Sequence, residues 1–461
     1  MDSTLTLNPS ETKKVKVKRI VRVKSKAKAR ERRMAFAIIV FKLLADVFYL
    51  TSIVKNYSYY GLNLEVNTAR IIIGYLFFFF IVLRFMVKHV YDKRPSSKLM
   101  LFFEIMYFTP GTTFFTFAKV EPGYVFFFIA FYILMLMALH FGNKLIKDKR
   151  IAVKEKVMNR KKKIFDVFII TLLAITVFYL LYYNGFQIKF DLADVYKIRL
   201  EVRDMNIPTI INYLRNPTAI LIPILLFICL KEKKFAKAII LIIIQLAMYA
   251  FGANKINLLS IGLAVALAVV NKKQVYAWVF LGLCLILIFG IVYSNANGHL
   301  DSITDILIRR TMFTPHKMGY DYFTCFSKLE PDYWRSSFLR FFGAQSPYGE
   351  ITYFIGKYNG TNSNCDNGLV GDAFGNFGYW SLLIYPFLFF GVFLTYNLMC
   401  RGIKTEIIIF LSFMYVIVFY DAPFFTVMLT HGYIFMFFFF VFLFPYRYLV
   451  IKNKPRVVKK S

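Results

Sequence analysis

The sequence predicts an all-α polytopic membrane protein with about twelve transmembrane helices, and three observations predict it. The chain of 461 residues is 58% hydrophobic and 19% aromatic, with 54 Phe and only 18% charged residues. Its mean hydropathy is +0.55. Apolar runs of roughly 20 residues, the length a helix needs to cross the hydrocarbon core, recur along it. Basic clusters fill alternate gaps between the runs, as expected of loops that share one side of a membrane. No small-residue cleavage pattern follows the basic N-terminus, so residues 1–54 do not read as a removed signal peptide.

In order, the expected spans lie near Met34–Val54, Ile71–Val90, Leu99–Phe117, Tyr124–Phe141, Ile164–Tyr183 and Ala219–Leu230. They continue near Ala236–Gly252, Asn257–Val270, Val275–Ser294, Gly378–Leu398, Glu406–Tyr420 and Gly432–Val450. The sixth is short unless Ile207–Leu214 extends it at a tilt. The organisation expected is a basic cytoplasmic tail at 1–33, a bundle over 34–450 and a second basic tail at 451–461. Two large external loops interrupt the bundle, at 184–217 and 295–376.

The formal net charge is +32, and its distribution excludes nucleic acid as the reason for it. About a dozen Lys/Arg crowd Lys13–Arg33 and about ten more lie between Lys144 and Lys163. Smaller clusters stand at Lys88–Lys98, Lys231–Lys234, Lys272–Lys273, Arg401–Lys404 and Arg447–Lys460. With both termini inside, every one of these lands on the cytoplasmic face, where it orients the chain and contacts anionic lipid. The two long loops are nearly charge-balanced, so their arginines are not topological and need another explanation.

Ionisable residues within spans are costly and usually placed for a reason. Lys42 and Asp46 are four apart and share a helix face. Arg84 and Glu104 lie at similar depths in neighbouring spans and could pair across adjacent antiparallel helices. Structural pairing or snorkelling is one reading of these groups and an ion pathway the other. Cys325 and Cys365 both fall in the second loop, where an oxidising space would permit a disulfide.

The loops carry the chemistry. Arg199 and Arg203 are four apart, on one face if helical, and paired guanidinium forks suit phosphate oxygens. A solvated charge network with Asp194, Glu201 and Asp204 is the alternative. In the second loop, Asp301–Asp305 reads as a helix start with an acidic first turn, ending near Arg309–Arg310. His316 and Asp321 follow closely, a candidate base and a carboxylate beside a double anion clamp. Trp334, Phe338 and Phe341 stand at helical spacing with Arg335 and Arg340, which reads as an interfacial helix or one packed on the bundle. Asn359–Gly378 is rich in Asn and Gly, a turn-forming segment whose amides suit sugar hydroxyls.

Arg310 with Pro315, the aromatic cluster Tyr320–Phe323, Asn367-Gly, Gly371-Asp372-Ala-Phe-Gly-Asn-Phe-Gly378 and the tight turn Gly252-Ala-Asn-Lys255 give the chain a further character. With two large outer loops and both ends inside, it resembles the Wzy-type repeat-unit polymerases of bacterial O-antigen and capsular polysaccharide, a family related in fold to the O-antigen ligases. The Arg-x10-Gly repeats of some members are not matched by Arg199, Arg203, Arg309 or Arg310.

The resemblance implies a GT-C-like glycosyltransferase of the inner (cytoplasmic) membrane, working at the outer face without a cofactor or metal. Donor and acceptor would be oligosaccharides on undecaprenyl pyrophosphate, and a chain-length regulator and a flippase would be partners. Arg199, Arg203, Lys255, Arg309 and Arg310 are the residues expected to hold pyrophosphate. His316, then Asp372, then Asp321 are the candidate bases, and Asn364, Asn367 and Asn376 are expected to contact glycan. A ligase shares this chemistry and differs in its acceptor. A transporter would show internal repeats and short loops on both sides, which this chain lacks.

Overall fold

The computed structural model describes residues 9–146, 152–153, 155–183, 205, 207–252, 256–271, 274–445 and 449–450. Long apolar segments become helices because in lipid each backbone N–H and C=O must be satisfied within its own segment. Local signals set the ends. Pro95 and Pro122 occupy first-turn positions, where a missing N–H costs nothing. Asn67 caps the next helix by accepting from the Arg70 amide at 3.1 Å. Gly298, left-handed at φ 75°, closes Val275–Asn297.

Among the described residues, eight helices are long and apolar enough to cross a membrane: Ala27–Tyr60, Thr68–Tyr91, Pro122–Leu145, Asn159–Tyr183, Tyr213–Lys231, Val275–Asn297, Val370–Met399 and Phe424–Leu443. Phe235–Phe251 and Ile256–Val269 are shorter apolar helices. The remaining expected segments fall on Pro95–Phe117 and Thr405–Asp421, which are also helical. The sixth expected span is extended, as its short apolar run required. Its helix is continuous from Thr209 to Lys231 with Pro217 and Pro223 inside it. Beside it Gly432, at φ 73°, leaves room for the Pro217 ring.

The least apolar of these helices is the most buried. Every residue from Ser96 to Ala118 is buried, so Lys98, Glu104 and four threonines face protein and not lipid. The helix has a π-helical turn at Glu104–Phe108. Pro110, which cannot donate to the carbonyl four residues back, lies just beyond it, and a wider turn absorbs that mismatch. Around this centre Pro122–Leu145 packs along Ser381–Met399, and the first long helix packs along Val275–Asn297. Outward faces carry exposed apolar side chains such as Phe80, Phe126, Phe178 and Val292.

Two nests of ionisable groups flank the central helix. Lys42 pairs with Asp46 on one helix face, as their spacing predicts. Thr113 Oγ1 donates to Asp46 at 2.6 Å, and Tyr75 OH donates to its other oxygen at 2.9 Å. Glu104 takes different partners from those expected. It sits 3.0 Å from His89 Nδ1 and accepts from Tyr132 OH at 2.8 Å, while Arg84 is exposed on its helix. A fully buried carboxylate demands partners that are themselves buried, and Arg84 can keep its charge hydrated by reaching outward.

The bundle has two unlike ends. At one, Ser96, Asn143 and Asn397 tie three helix ends together: the Ser96 amide donates to Asn397 at 2.9 Å, and Asn397 donates to Asn143 at 3.0 Å. Tyr91 stands within electrostatic reach of Arg30 and Glu31, which puts the basic start of the first helix at this end. The other end gathers 55–67, 118–121 and the 298–369 segment. There the buried Arg70 donates to the carbonyls of Ala118 (2.6 Å), Val120 (3.1 Å) and Glu65 (3.0 Å).

Candidate functional site

The 298–369 segment is folded onto the bundle. Asp301 caps a short turn, accepting from the amides of Ile303 at 2.9 Å and Thr304 at 3.0 Å. The helix does not end near Arg309–Arg310 as expected. It continues as a π-helix over Asp305–Phe313 and then as Thr314–Phe326. Pro315 sits in the first turn of that last helix, where it is tolerated.

The widened turn brings Arg309 and Arg310 to one acceptor. Asp305 bonds Arg309 through both oxygens, the Oδ2 contact to Nη2 being 3.0 Å, and accepts from Arg310 Nε at 3.2 Å and Tyr57 OH at 2.7 Å. Arg309 also lies 4.3 Å above the Tyr57 ring. Burial pushes the Asp305 carboxyl up, but the Arg309 and Tyr57 hydrogen bonds and the two guanidiniums outweigh it, leaving it below the ordinary range. Arg309 is 11% exposed and committed to this network; Arg310 is 40% exposed and reaches the surface.

One helical turn further on, Lys317 Nζ bonds both Asp321 oxygens at 2.7 Å, and Asn359 Nδ2 donates to the same carboxylate at 2.8 Å. Asp321 is thus the hub that fastens 359 to the helix, and burial raises it despite Lys317. His316, on the other face, is fully buried among Tyr107 (ring centroids 4.3 Å), Phe128 (5.7 Å) and Phe114 (6.2 Å). A Cβ at Gly111 would come within 2.8 Å of its Cε1. Neither ring nitrogen has a side-chain hydrogen-bond partner among the described residues, and burial lowers its pKa to about 3. His316 is a neutral packing group there, walled off from the surface.

Asp372 and Asn376 form a second clamp. Asp372 accepts from the Phe424 amide at 2.7 Å and from Asn376 Nδ2 at 2.8 Å, and Asn376 Oδ1 accepts from the Trp334 amide at 2.8 Å. These bonds hold the 331–343 segment and the 422–424 turn against Val370–Phe377. Asn367 is also internal, donating to the Pro315 carbonyl at 2.7 Å. Of the three asparagines expected to meet glycan, only Asn364 is exposed, and it donates to Asp366 at 3.0 Å.

The expected interfacial helix is not a helix. Tyr333 and Trp334 both have positive φ, 52° and 59°, and only Phe338–Phe342 turns, as a 3-10 helix. Trp334 and Phe338 pack on Phe425 at 4.9 and 4.3 Å, which fixes the segment to the bundle. Cys325 and Cys365 are both buried free thiols and not the bridge expected of them. Burial pushes each up to about 11, so neither is a ready nucleophile.

Beside these clamps opens a cleft of about 330 Å³, lined by Arg340, Glu350, Asp366, His431, Ser336 and Tyr213 among others. Its walls come from 336–341, 350–352, 366 and 422–431, with Tyr213 from the sixth helix. Asp366 is exposed on the wall. Its enclosure by the cleft, then the carboxylates of Asp421 and Glu350, push its pKa up to about 6, close to the poise of a general base at neutral pH. Arg340 is 68% exposed and loosely paired with Glu350 at 3.8 Å. Arg215 stands within electrostatic reach of His431. Tyr60 has Arg309, Arg310, Asp321 and Cys365 all within electrostatic reach.

Asn364 is bonded to Asp366 on the cleft wall, and Arg310 is exposed but is not part of the cleft lining, whereas Arg309, His316, Asp321, Asn367, Asp372 and Asn376 are engaged inside the fold. Arg199, Arg203 and Lys255 lie outside the described residues. Sequence reading missed Asp366, Glu350 and His431. The signal for His431 was the polar break Thr430-His431-Gly432 between two apolar runs. No family model matches the chain, and neither a curated protein nor a solved structure does.

Proposed function

We propose that this chain is a membrane glycosyltransferase that joins lipid pyrophosphate-linked oligosaccharide repeat units into a polysaccharide. The observation that carries the reading is the cleft: a carboxylate poised near pH 6 shares it with an exposed arginine, at the edge of apolar helices. In this reading Asp366 takes the proton of an acceptor sugar hydroxyl, whose oxygen bonds to the donor's anomeric carbon. The bond from that carbon to the pyrophosphate oxygen breaks, and the lipid pyrophosphate leaves with the electron pair. Arg310 and Arg340 stabilise its developing charge in a site of reduced dielectric. Asn364 contacts glycan. The energy stored in the donor's pyrophosphate linkage drives the step, so no nucleotide is consumed.

The remaining parts of the reading follow from the same arrangement. All twelve helical segments cross the inner membrane, in a GT-C-like bundle, with the basic end and both termini in the cytoplasm. The other end, with the polar 298–369 island, then faces outward, where donor and acceptor arrive after translocation. A flippase and a chain-length regulator are its partners. Ligation to another acceptor would use the same cleft with a different hydroxyl.

Reconstitution tests the reading. Purified chain mixed with undecaprenyl pyrophosphate-linked repeat units is expected to lengthen them into a ladder, and Arg310→Ala to leave single units. Movement of the units across the bilayer with no growth would instead make the chain a transporter.

A further inference from the structure

We propose that the turn Phe338–Phe342 is the lip of a lipid seat, which grips the first part of an isoprenoid phosphate's tail while Arg340 holds its phosphate. This rests on the glycosyltransferase reading and deepens it by giving the substrate's lipid a place. Phe341 and Phe342 are 74% and 75% exposed, on a loop that their own helix does not cover. Two aromatic rings with no protein cover gain stabilisation from any apolar cover that reaches them. The loop cannot retract them. Its base is fixed by Phe338 stacked on Phe425 at 4.3 Å and by the positive φ of Tyr333 and Trp334. At its far end Gly343 turns the chain at φ 87°.

The lip alternates chemistry. Phe338, Arg340 and Phe341 all line the cleft, so a guanidinium stands between two rings at its mouth. Glu350 holds Arg340 only at 3.8 Å, with both side chains more than half exposed. Such a pair contributes little and yields to a phosphate, which takes the guanidinium fork in two hydrogen bonds. Leu429, 41% exposed, lines the cleft from the opposite wall and begins an apolar path. Ile434, Phe438 and Phe442 follow at four-residue spacing on one face of the last spanning helix, 41%, 53% and 62% exposed. Phe438 and Phe442 stack at 6.1 Å. An anionic head at Arg340 thus has exposed apolar side chains leading from the cleft, past the Thr430–Gly432 turn, along a helix long and apolar enough to span a membrane. That fits an amphiphile with one long unbranched run of apolar units better than one with paired acyl chains spreading from the head.

The test is photo-crosslinking of the full chain in lipid nanodiscs, with no sugar and no turnover. The probe is a polyprenyl phosphate carrying a diazirine in its tail; the comparators are the matching polyprenol and a diazirine phosphatidylglycerol. Capture by the polyprenyl phosphate is expected to concentrate on 338–343 and 429–442, and unlabelled undecaprenyl phosphate should compete it away. Phe341→Ser with Phe342→Ser should lower capture there by roughly tenfold, the size expected when aromatic cover is lost. Phe341→Leu with Phe342→Leu should retain most of it, which separates lost contact from lost fold. Arg340→Gln should make the phosphate and the alcohol label alike. Equal mapping by phosphatidylglycerol, or labelling spread evenly over exposed positions such as Phe80, Phe126 and Val292, would overturn the seat. A chain that shows the seat yet never extends repeat units keeps this inference and loses the polymerase reading; one that extends them without labelling the lip does the reverse.

Discussion

Two charged surfaces meet at the island end, and they differ in what their charges are committed to. On the Asp305–Asp321 helix, Arg309, Asp305, Lys317 and Asp321 satisfy one another, and Tyr57 and Asn359 complete the set. On the cleft wall, among the described residues, Arg340 has one loose partner, Glu350, and Asp366 is bonded by Asn364 alone. Both surfaces carry the residue types that anion binding and acid–base chemistry require. The first spends them on holding a loop to the bundle, and the second leaves them facing open space. Residue type marks where chemistry is possible, whereas partner count separates a brace from a site.

That contrast can be broken by mutation. The largest effect is expected from Asp366→Asn, which removes the proposed base while keeping size and the contact to Asn364. Chain growth should fall by about a hundredfold or more, the usual cost of a lost general base, with unchanged yield of folded protein. Activity within a few fold of the parent would move the base elsewhere. Next comes Asp305→Ala, which strands Arg309 beside Tyr57. Leaving a largely buried charge unpaired should cost about 2–3 kcal/mol, seen as a lower melting temperature in detergent; an unchanged melting temperature would mean that Arg309 finds water. His316→Phe sharpens the comparison from the other side. A ring of similar size in an aromatic cage should alter chain growth by less than about threefold. A hundredfold loss with normal folding would return His316 to the chemistry. The smallest effect is expected for Cys325→Ser or Cys365→Ser. With both thiols free, gel mobility after thiol blocking should be the same with and without reductant.

The helices were legible because a membrane span announces itself by length and composition alone. Most of each expected segment falls on helix among the described residues, and the basic start of the first helix marks one end of the bundle. The central place of Pro95–Phe117 was not legible. Its Lys98, Glu104 and threonines read as imperfections in a span, when they mark the helix that never meets lipid. Pairing across distance was equally hidden. Asp305 depends on Tyr57, 248 positions away, and Asp372 on Phe424, 52 away, so neither commitment leaves a local trace. Asp366 was visible only as one polar residue in an Asn-rich turn, because its raised pKa comes first from its enclosure and then from Asp421 and Glu350, all of which folding brings about. Arg70 shows the same lesson: three backbone carbonyls and the Glu65 carboxylate, 2.7 Å away, account for it.

The account stands most directly on the pH dependence of chain growth by the reconstituted protein at low substrate. A base with a pKa near 6 must be ionised to act, so the rate should be flat above about pH 7 and fall below pH 6, by about tenfold for each further unit. The residual rate of Asp366→Asn should lose that limb. A parent rate unchanged between pH 5 and 8, or the same acidic limb persisting in Asp366→Asn, would contradict the assignment of the cleft as the site of reaction.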